Sequence, residues 1–158
     1  MSAREFSYEN SDPSLRRARP EDAQACARIL RDWIRGTAWM PKLHSQDGDC
    51  RFVSRLIAEG EVQVAENAGT ICGFLAHKDG DVDALYVAAD QRRAGVGSAL
   101  LSVLKAERDW IGLWTFQAND PARAFYRKHG FAELKQTDGA GNEEKLPDVW
   151  LEWSNDDR

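Results

Sequence analysis

The segment at residues 92–97, Arg-Arg-Ala-Gly-Val-Gly, lies between a strand pattern and a helix pattern and constrains the fold more than any other stretch. Residues 81–87 before it are rich in β-forming side chains, and apolar residues recur every three or four positions after it, to about Arg108. Glycine lets the backbone approach a ligand closely, and the free N–H groups at a helix start attract anions. The order strand, glycine turn and helix therefore predicts a phosphate-binding site, which suits a pyrophosphate.

Two common phosphate-binding motifs do not fit this segment. A dinucleotide-binding fingerprint needs a third glycine three residues after Gly97, where the chain has Leu100. A P-loop needs Gly-Lys-Ser/Thr, whereas Gly97 is followed by Ser98 and Ala99. The segment instead resembles, position for position, the Arg/Gln-x-x-Gly-x-Gly signature that binds the pyrophosphate of coenzyme A in the GNAT superfamily of acyl-CoA N-acyltransferases. An ordinary strand-to-helix turn with solvated arginines is the alternative for this motif taken alone.

A second segment extends the resemblance. Residues 113–117 form a short apolar pattern typical of a strand, and the helix that follows can be capped by Asn119 or Asp120. Pro121 suits the first turn, and Gly130 suits the left-handed position that ends the helix. The string Asn119-x-x-Ala122-x-x-Phe125-Tyr126-x-x-x-Gly130-Phe131 is similar to the motif that follows the fifth strand of GNAT enzymes.

The pattern of elements predicts one domain over residues 1–158, with residues 1–13 as a loose N-terminal arm. Strands are expected at 14–19, 61–66, 70–77, 81–87, 113–117, 131–136 and 148–154, and helices at 20–36, 45–59, 96–108 and 119–129. The order β-α-α-β-β-β-α-β-α-β-β is similar to that of a GNAT domain. The resemblance implies an α+β fold with α/β/α layers, a mixed and mostly antiparallel sheet of 6–7 strands and about four helices. It also implies that the strands ending at Val87 and Gln117 run parallel and splay apart, so that the acyl-pantetheine arm enters between them.

Composition excludes several classes of protein. The formal net charge of −5 opposes binding to nucleic acid, which depends on lysine and arginine. No stretch approaches the roughly 20 apolar residues of a membrane span, and the first residues lack the apolar run of a signal peptide. The 3 cysteines form no Cys-x-x-Cys pair and favour reduced thiols in a cytoplasmic protein. The 3 histidines have no metal-ligand spacing, so no metal is expected.

The resemblance implies a cofactor site for acetyl-CoA, the acyl donor, on three runs of residues. Backbone groups near Leu85, Tyr86 and Val87 are expected to contact the pantetheine arm and the thioester oxygen. The remaining cofactor residues are Arg92, Arg93, Ala94, Gly95, Val96, Gly97 and Ser98 around the pyrophosphate, and Asn119, Ala122, Phe125 and Tyr126 from the second motif. For Asn119 the alternative is a simple helix cap.

The chemistry requires an amine to attack a thioester carbonyl, which assigns roles to two side chains. The leaving thiolate benefits from a proton, and Tyr126 matches the family's general acid by its position in the motif. The alternative for Tyr126 is packing beside Phe125. The amine must lose its proton, because an alkylammonium with a pKa of about 10.4 is mostly charged at pH 7. Asp83, on the same strand face as Asp81, resembles a strand carboxylate that acts as base through water in some members; a solvated acid is the alternative.

The acceptor site is expected near Trp39, His44 and Trp114, with Trp33 and Met40 as further candidates. Aromatic side chains suit an amine through cation–π attraction, and they equally suit an aromatic amino acid. The expected partner is a small-molecule or peptide amine, with no nucleic acid, no membrane and a possible homodimer. The function that follows is N-acetyl transfer from acetyl-CoA. A non-catalytic acyl-CoA binding or sensing module is the alternative, and a protein-interaction domain built on the tryptophan-rich last strand is a third.

Overall fold

The computed structural model describes residues 12–92 and 94–155. Most of the predicted N-terminal arm, and Arg93, lie outside these ranges. The strands are β1 (Ser14–Arg17), β2 (Glu61–Asn67), β3 (Thr70–Lys78), β4 (Asp81–Val87), β5 (Trp110–Phe116), β6 (Ala132–Thr137) and β7 (Asp148–Ser154). The helices are α1 (Ala23–Gly36), α2 (Gln46–Glu59), α3 (Val96–Glu107) and α4 (Asp120–Lys128), with 3-10 turns at Pro20–Asp22 and Ala89–Gln91. This order of strands and α-helices is the predicted one.

The strands form a 7-stranded sheet in the order β1-β2-β3-β4-β5-β7-β6, and every neighbouring pair is antiparallel except β4 and β5. The parallel pair is in register only at Asp81 with Gly112 and at Val82 with Leu113. Beyond those residues the two strands separate, as the resemblance implies. The mixed sheet and the helices on both its faces confirm the predicted fold class.

Each face of the sheet has its own apolar core. On one face, α3 packs through Val96, Leu100 and Leu104 against Ile111 and Val149. These positions recur at helical spacing on α3, and burying each side chain contributes roughly 1.5–3 kcal/mol. On the other face, α1 and α2 pack against the middle strands; the fully buried residues there are Cys26, Val53, Val64 and Phe74. The helices therefore cover the middle strands of the sheet on both faces.

The second face is only partly covered. Helices α1 and α2 pack on β2, β3 and β4, whereas β5 and β6 carry exposed aromatic and apolar side chains. Along β5, Ile111 and Leu113 point into the core, and the alternate residues Trp110 and Trp114 are 38% and 45% exposed. The alternation of a strand thus places one set of residues in the core and leaves the other set open.

Strand β5 differs from the sequence-based prediction because it begins at Trp110 rather than at Leu113. Glycine inside a strand weakens the strand pattern, so the predicted strand begins only after Gly112. In the structure the missing side chain is required, since a Cβ on Gly112 would lie 2.5 Å from Trp150 Cζ2 and 2.6 Å from Trp110 Cζ2. The glycine therefore marks close packing of two indole rings within a continuous strand.

No helix in the described part of the chain is long and apolar enough to cross a membrane.

Candidate active site

A cleft of about 780 Å³ opens where β4 and β5 diverge, and it contains most of the predicted site residues. Its walls come from the end of α1 and the loop after it, from β4 and β5, from the first turn of α3 and from the length of α4. The predicted residues that line it are Trp39, Asp83, Leu85, Tyr86, Val87, Arg92, Gly95, Gly97, Ser98, Trp114, Asn119, Ala122, Phe125 and Tyr126. The fold thus brings together two motifs that are separate in sequence.

The N-terminus of α3 forms one end of the cleft. Gly95 precedes the helix with a φ of 81°, a conformation that favours glycine, and no described side chain caps the helix there. By contrast, Ser45 caps α2 through Gly48 N, and Asn119 caps α4 through its Oδ1 atom, 3.2 Å from Ala122 N. The N–H groups of the first turn of α3 therefore face the cleft without a capping side chain, as an anion site requires.

Basic side chains line the same end. Arg92 donates from Nε to the carbonyl of Val87 at 3.0 Å, and Lys128 also borders the cleft. His129 Nε2 lies 3.0 Å from Ser98 Oγ. Burial, with the nearby Lys105 and Lys128 charges, lowers the pKa of His129. This end of the cleft can therefore hold a polyanionic phosphate group, although the chain as a whole is acidic.

Three predicted residues lie elsewhere. Ala94 does not line the cleft, because its N–H donates to Gln91 O at 3.1 Å within the preceding turn. The Val96 side chain is 0% exposed and packs in the core, so only its backbone belongs to the helix end. His44 is exposed and does not line the cleft; its Nε2 lies 2.9 Å from Glu143 Oε1. The hydrogen bond with the Glu143 carboxylate raises the pKa of His44. The expectation that His44 contributes to the acceptor site is not supported by this placement.

Tyr126 has a packing environment and a place in the cleft. Its ring contacts those of Phe125 and Phe131 at centroid distances of 5.2 Å and 5.3 Å, and the residue is 7% exposed. Burial raises the pKa of its phenol, so the hydroxyl keeps its proton at neutral pH. The residue can therefore pack the core and still offer a proton to the cleft. The two alternatives from the sequence are compatible in this geometry.

Asp83 lines the cleft, whereas its neighbour Asp81 does not. Surrounding protein atoms raise the pKa of Asp83, and the Asp81 charge raises it further. A carboxylate with a raised pKa is a stronger base than a free aspartate. Asp83 is therefore an exposed carboxylate that borders the cleft, a placement that fits both the predicted base and the solvated acid.

An aromatic wall lies at the opposite end of the cleft from α3. Trp33 packs 5.9 Å from Trp39 and 5.4 Å from Tyr86, and Trp39 packs 5.8 Å from Phe116. Burial raises the pKa of Tyr86 to about 12. The sequence allows Trp33 either in the core or in the acceptor site, and it gives no signal that Phe116 belongs to this wall. The position of Trp33 one turn before Gly36, at the end of an apolar stripe, was the available signal.

Outside the cleft, the described residues include a group of Glu61, His77 and Glu107 whose ligand-type atoms lie within 4.8 Å of one another. Gly80 N donates to His77 Nδ1 at 3.1 Å. A neutral imidazole that accepts at Nδ1 carries its proton on Nε2. The Nδ1 atom of His77 is therefore used by the backbone of the turn, and Nε2 is the donor nitrogen.

The fold and the cleft define a class of protein, an acyltransferase that binds a phosphate-bearing acyl carrier. The Acetyltransferase (GNAT) domain model matches residues 58–133. The peptidyl-lysine N-acetyltransferase YiaC of Escherichia coli (strain K12) is 30% identical over 108 residues, which are 65% of this chain and 74% of YiaC. This chain therefore belongs to the GNAT superfamily, and it is an acetyl-CoA-dependent N-acetyltransferase rather than a non-catalytic binding module.

Solved structures agree in fold. A GCN5-related N-acetyltransferase from Rhodopseudomonas palustris has a TM-score of 0.76 at 25% identity, covering 92% of this chain and 97% of that one. The apo form of YjaB from Escherichia coli has a TM-score of 0.75 at 22% identity, covering 90% and 97%. Salmonella typhimurium yncA, solved with acetyl-CoA, has a TM-score of 0.71 at 20% identity, covering 94% and 96%.

Proposed function

We propose that this chain, as a single cytoplasmic domain over residues 1–158, transfers an acetyl group to the primary amine of a small molecule or peptide by direct attack on the thioester. One observation carries the proposal: Asp83 on β4 and Tyr126 on α4 line the same cleft, next to the uncapped N-terminus of α3. A base, an acid and a phosphate site are the three components that this reaction needs.

Donor binding follows from the separation of the strands. Strand β4 pairs with β3 through Val87 but with β5 only through Val82. Beyond Val82, the backbone edge of β4 that faces β5 is open to the amide groups of the pantetheine arm. The pyrophosphate then meets the first turn of α3, while Arg92 and Lys128 supply positive charge. The arm would thus lead the thioester from the phosphate end toward Tyr126.

The proposed reaction moves protons through Asp83 and Tyr126. Asp83 accepts one proton of the incoming ammonium through water, and the freed amine lone pair forms a C–N bond with the thioester carbonyl. The tetrahedral intermediate collapses, the C–S bond breaks, and Tyr126 donates its proton to the departing thiolate. The nitrogen of the new amide then releases its second proton through water to the Tyr126 phenolate, which restores the phenol, and Asp83 returns its proton to solvent. The raised pKa of Asp83 makes it a better base, whereas the raised pKa of Tyr126 keeps the phenol protonated but makes it a weaker acid. The role of Tyr126 therefore rests on its place in the cleft.

A lysine side chain in a peptide is the acceptor that we favour. The relative YiaC acts on peptidyl-lysine, which supports the same acceptor class here. The aromatic wall of Trp33, Trp39 and Phe116 can surround the methylene stem and attract the ammonium head. Asp83 then lies in the same cleft as the head group.

The test measures release of free thiol from acetyl-CoA with lysine peptides and small amines. We expect Asp83→Asn to lower turnover by roughly 10²- to 10⁴-fold. Asp32→Asn is the matched control, since it removes an exposed carboxylate on α1 that does not line the cleft. The proposed base is wrong if Asp83→Asn retains the wild-type rate, or if both variants lose the same activity.

A further inference from the structure

The side of β5, β7 and β6 that α1 and α2 leave open carries a cluster of indole rings, which we call the tryptophan face. It consists of Trp110, Trp114 and Trp150, together with Glu152 and Lys135. Trp150 lies between the other two indoles, at centroid distances of 6.3 Å from Trp110 and 5.2 Å from Trp114. Trp110 and Trp114 are both exposed, so the cluster forms a surface and not a core.

Glu152 fixes two of these rings. Its Oε1 accepts from Trp110 Nε1 at 3.0 Å, and its Oε2 accepts from Trp150 Nε1 at 2.6 Å. These two hydrogen bonds lower the pKa of the Glu152 carboxyl, so it is ionised at neutral pH. Gly112 lies beneath the same indoles and lets them pack on the strand backbone. The surface is therefore rigid before any partner arrives, which reduces the entropy cost of binding.

The chemistry of the face selects a cation. Indole rings attract ammonium and guanidinium groups through their π faces, and an ionised carboxylate among them adds attraction. The chain itself demonstrates this preference, because Lys135 Nζ lies 5.5 Å from the Trp114 ring centroid. Ionised Glu152 and the net charge of −5 disfavour nucleic acid phosphates.

The tryptophan face is continuous with the active site. Trp114 belongs to both, since it also lines the cleft that contains Asp83. Trp110 lies four residues earlier on the same strand, so the two Cα atoms are about 13 Å apart along β5, and the Trp150 ring lies between the two indoles. A polypeptide whose lysine enters the cleft can therefore continue across the face, with nearby side chains above the indoles.

We propose that the tryptophan face docks a polypeptide with arginine or lysine residues near the acceptor lysine, and that it thereby selects basic segments of protein substrates. This proposal rests on the proposed function. The affinity arises from cation–π contacts with Trp110 and Trp150 and from the Glu152 charge. The selection acts on peptide binding, because none of these three side chains lines the cleft in which the acetyl group is transferred.

The test compares two peptides that contain a single acceptor lysine, one with flanking arginines and one with glutamines at those positions. We expect the arginine peptide to have a KM about 2- to 10-fold lower with equal kcat. Glu152→Gln and Trp110→Ala should abolish this difference and leave turnover of free lysine amide unchanged. Glu59→Gln, an exposed change on α2, is the matched control. Melting temperatures verify folding, and the nearly isosteric Glu152→Gln is informative if Trp110→Ala does not fold.

Peptide binding, measured by calorimetry without turnover, separates this proposal from the catalytic one. The wild-type protein could bind the arginine peptide, lose that binding in Glu152→Gln and yet acetylate no amine. That result would retain the docking surface and reject the proposed function. Equal KM values for the two peptides on an active enzyme would overturn the docking proposal. A wild-type dimer that Trp110→Ala converts to monomer, with no change in peptide preference, would also overturn it and identify the face as a contact between two copies.

Discussion

Residues in the second motif have structural and chemical roles at the same time. Tyr126 packs between Phe125 and Phe131 and lines the cleft, and Asn119 caps α4 from a position in the same cleft. The cap uses Asn119 Oδ1 and leaves its Nδ2, which donates to no described residue. A substitution at either site therefore changes function cleanly only if it preserves the packing or the cap.

Tyr126→Phe meets that condition and tests the general acid. We expect turnover to fall by roughly 10²- to 10⁴-fold, because the thiolate loses its proton donor while the ring stays in place. Acetyl-CoA affinity, measured by calorimetry, should remain within about twofold, since the phenol acts at sulfur and not at the phosphates. A wild-type rate in a folded variant, with chemistry as the rate-limiting step, would assign Tyr126 to packing alone.

At the scale of the element, the two glycines at the start of α3 differ in what requires them. Gly95 is required by its φ of 81°. Gly97 has ordinary backbone geometry, and an added Cβ would meet Phe125 Cζ at 3.4 Å, an ordinary van der Waals contact. Nothing in the protein itself therefore demands glycine at position 97. We expect the phosphate group of the ligand to occupy the space that the absent side chain leaves.

Gly97→Ala tests this separation. We expect the free energy of unfolding to stay equal or rise by up to about 1 kcal/mol, because alanine favours helix. Acetyl-CoA should nevertheless bind at least several-fold more weakly, since the methyl group obstructs the approach of the pyrophosphate to the helix end. Gly95→Ala is the comparison, and it should lose about 1 kcal/mol of stability through its left-handed φ. Unchanged calorimetric affinity of Gly97→Ala would move the phosphate site elsewhere.

The turn between β3 and β4 should make folding sensitive to mild acid. His77 Nδ1 accepts from Gly80 N, and burial lowers the pKa of His77 in the folded protein. The unfolded chain, with a histidine pKa of about 6.5, therefore binds the proton first as the pH falls. This stability contribution is complete above about pH 6.5 and is lost as the pH drops toward the folded pKa.

His77→Asn isolates that effect, because its Oδ1 can accept from Gly80 N and cannot titrate. Urea unfolding at pH 7.5 and pH 5.5 should show a larger loss for the wild type than for the variant. The comparison cancels the contributions of His129, whose pKa is also lowered, and of His44, whose pKa is raised. Equal losses in the two proteins would contradict the assignment.

At the scale of the whole molecule, the negative net charge opposes binding of the acyl donor and favours binding of a cationic acceptor. The net charge of −5 repels polyanionic coenzyme A and attracts a cationic acceptor. We therefore propose that local groups hold the donor, namely the α3 N-terminus, Arg92 and Lys128, all of which border the cleft. The acidic surface, including Glu152, then favours the amine.

Arg92→Ala should weaken acetyl-CoA binding by about tenfold, the value of one charge-assisted hydrogen bond to phosphate. The salt dependence of the dissociation constant should also flatten, because fewer cations face the phosphates. Arg51→Ala, on the exposed surface of α2 and outside the cleft, removes the same charge and should change neither quantity. Titration calorimetry at two ionic strengths distinguishes the variants, and identical behaviour of the two would exclude Arg92 from the phosphate site.

The sequence by itself determined the family and the order of elements, and it located the glycine turn at the start of α3, because these depend on residues close together in the chain. The Gly95 turn, the Asn119 cap and the apolar stripe of α3 are local features of this kind. The extent of β5 was not predictable, since Gly112 acquires its meaning from Trp150 on a distant strand.

Only the tertiary structure decided which side chains of the acceptor region face the cleft. Trp39 turns inward because it packs on Phe116, whereas His44 turns outward to Glu143, 99 residues away in sequence. The open side of β5 and β7 likewise follows from how the sheet and helices pack together. Contacts between residues far apart in sequence set these features, and no local pattern of residues encodes them.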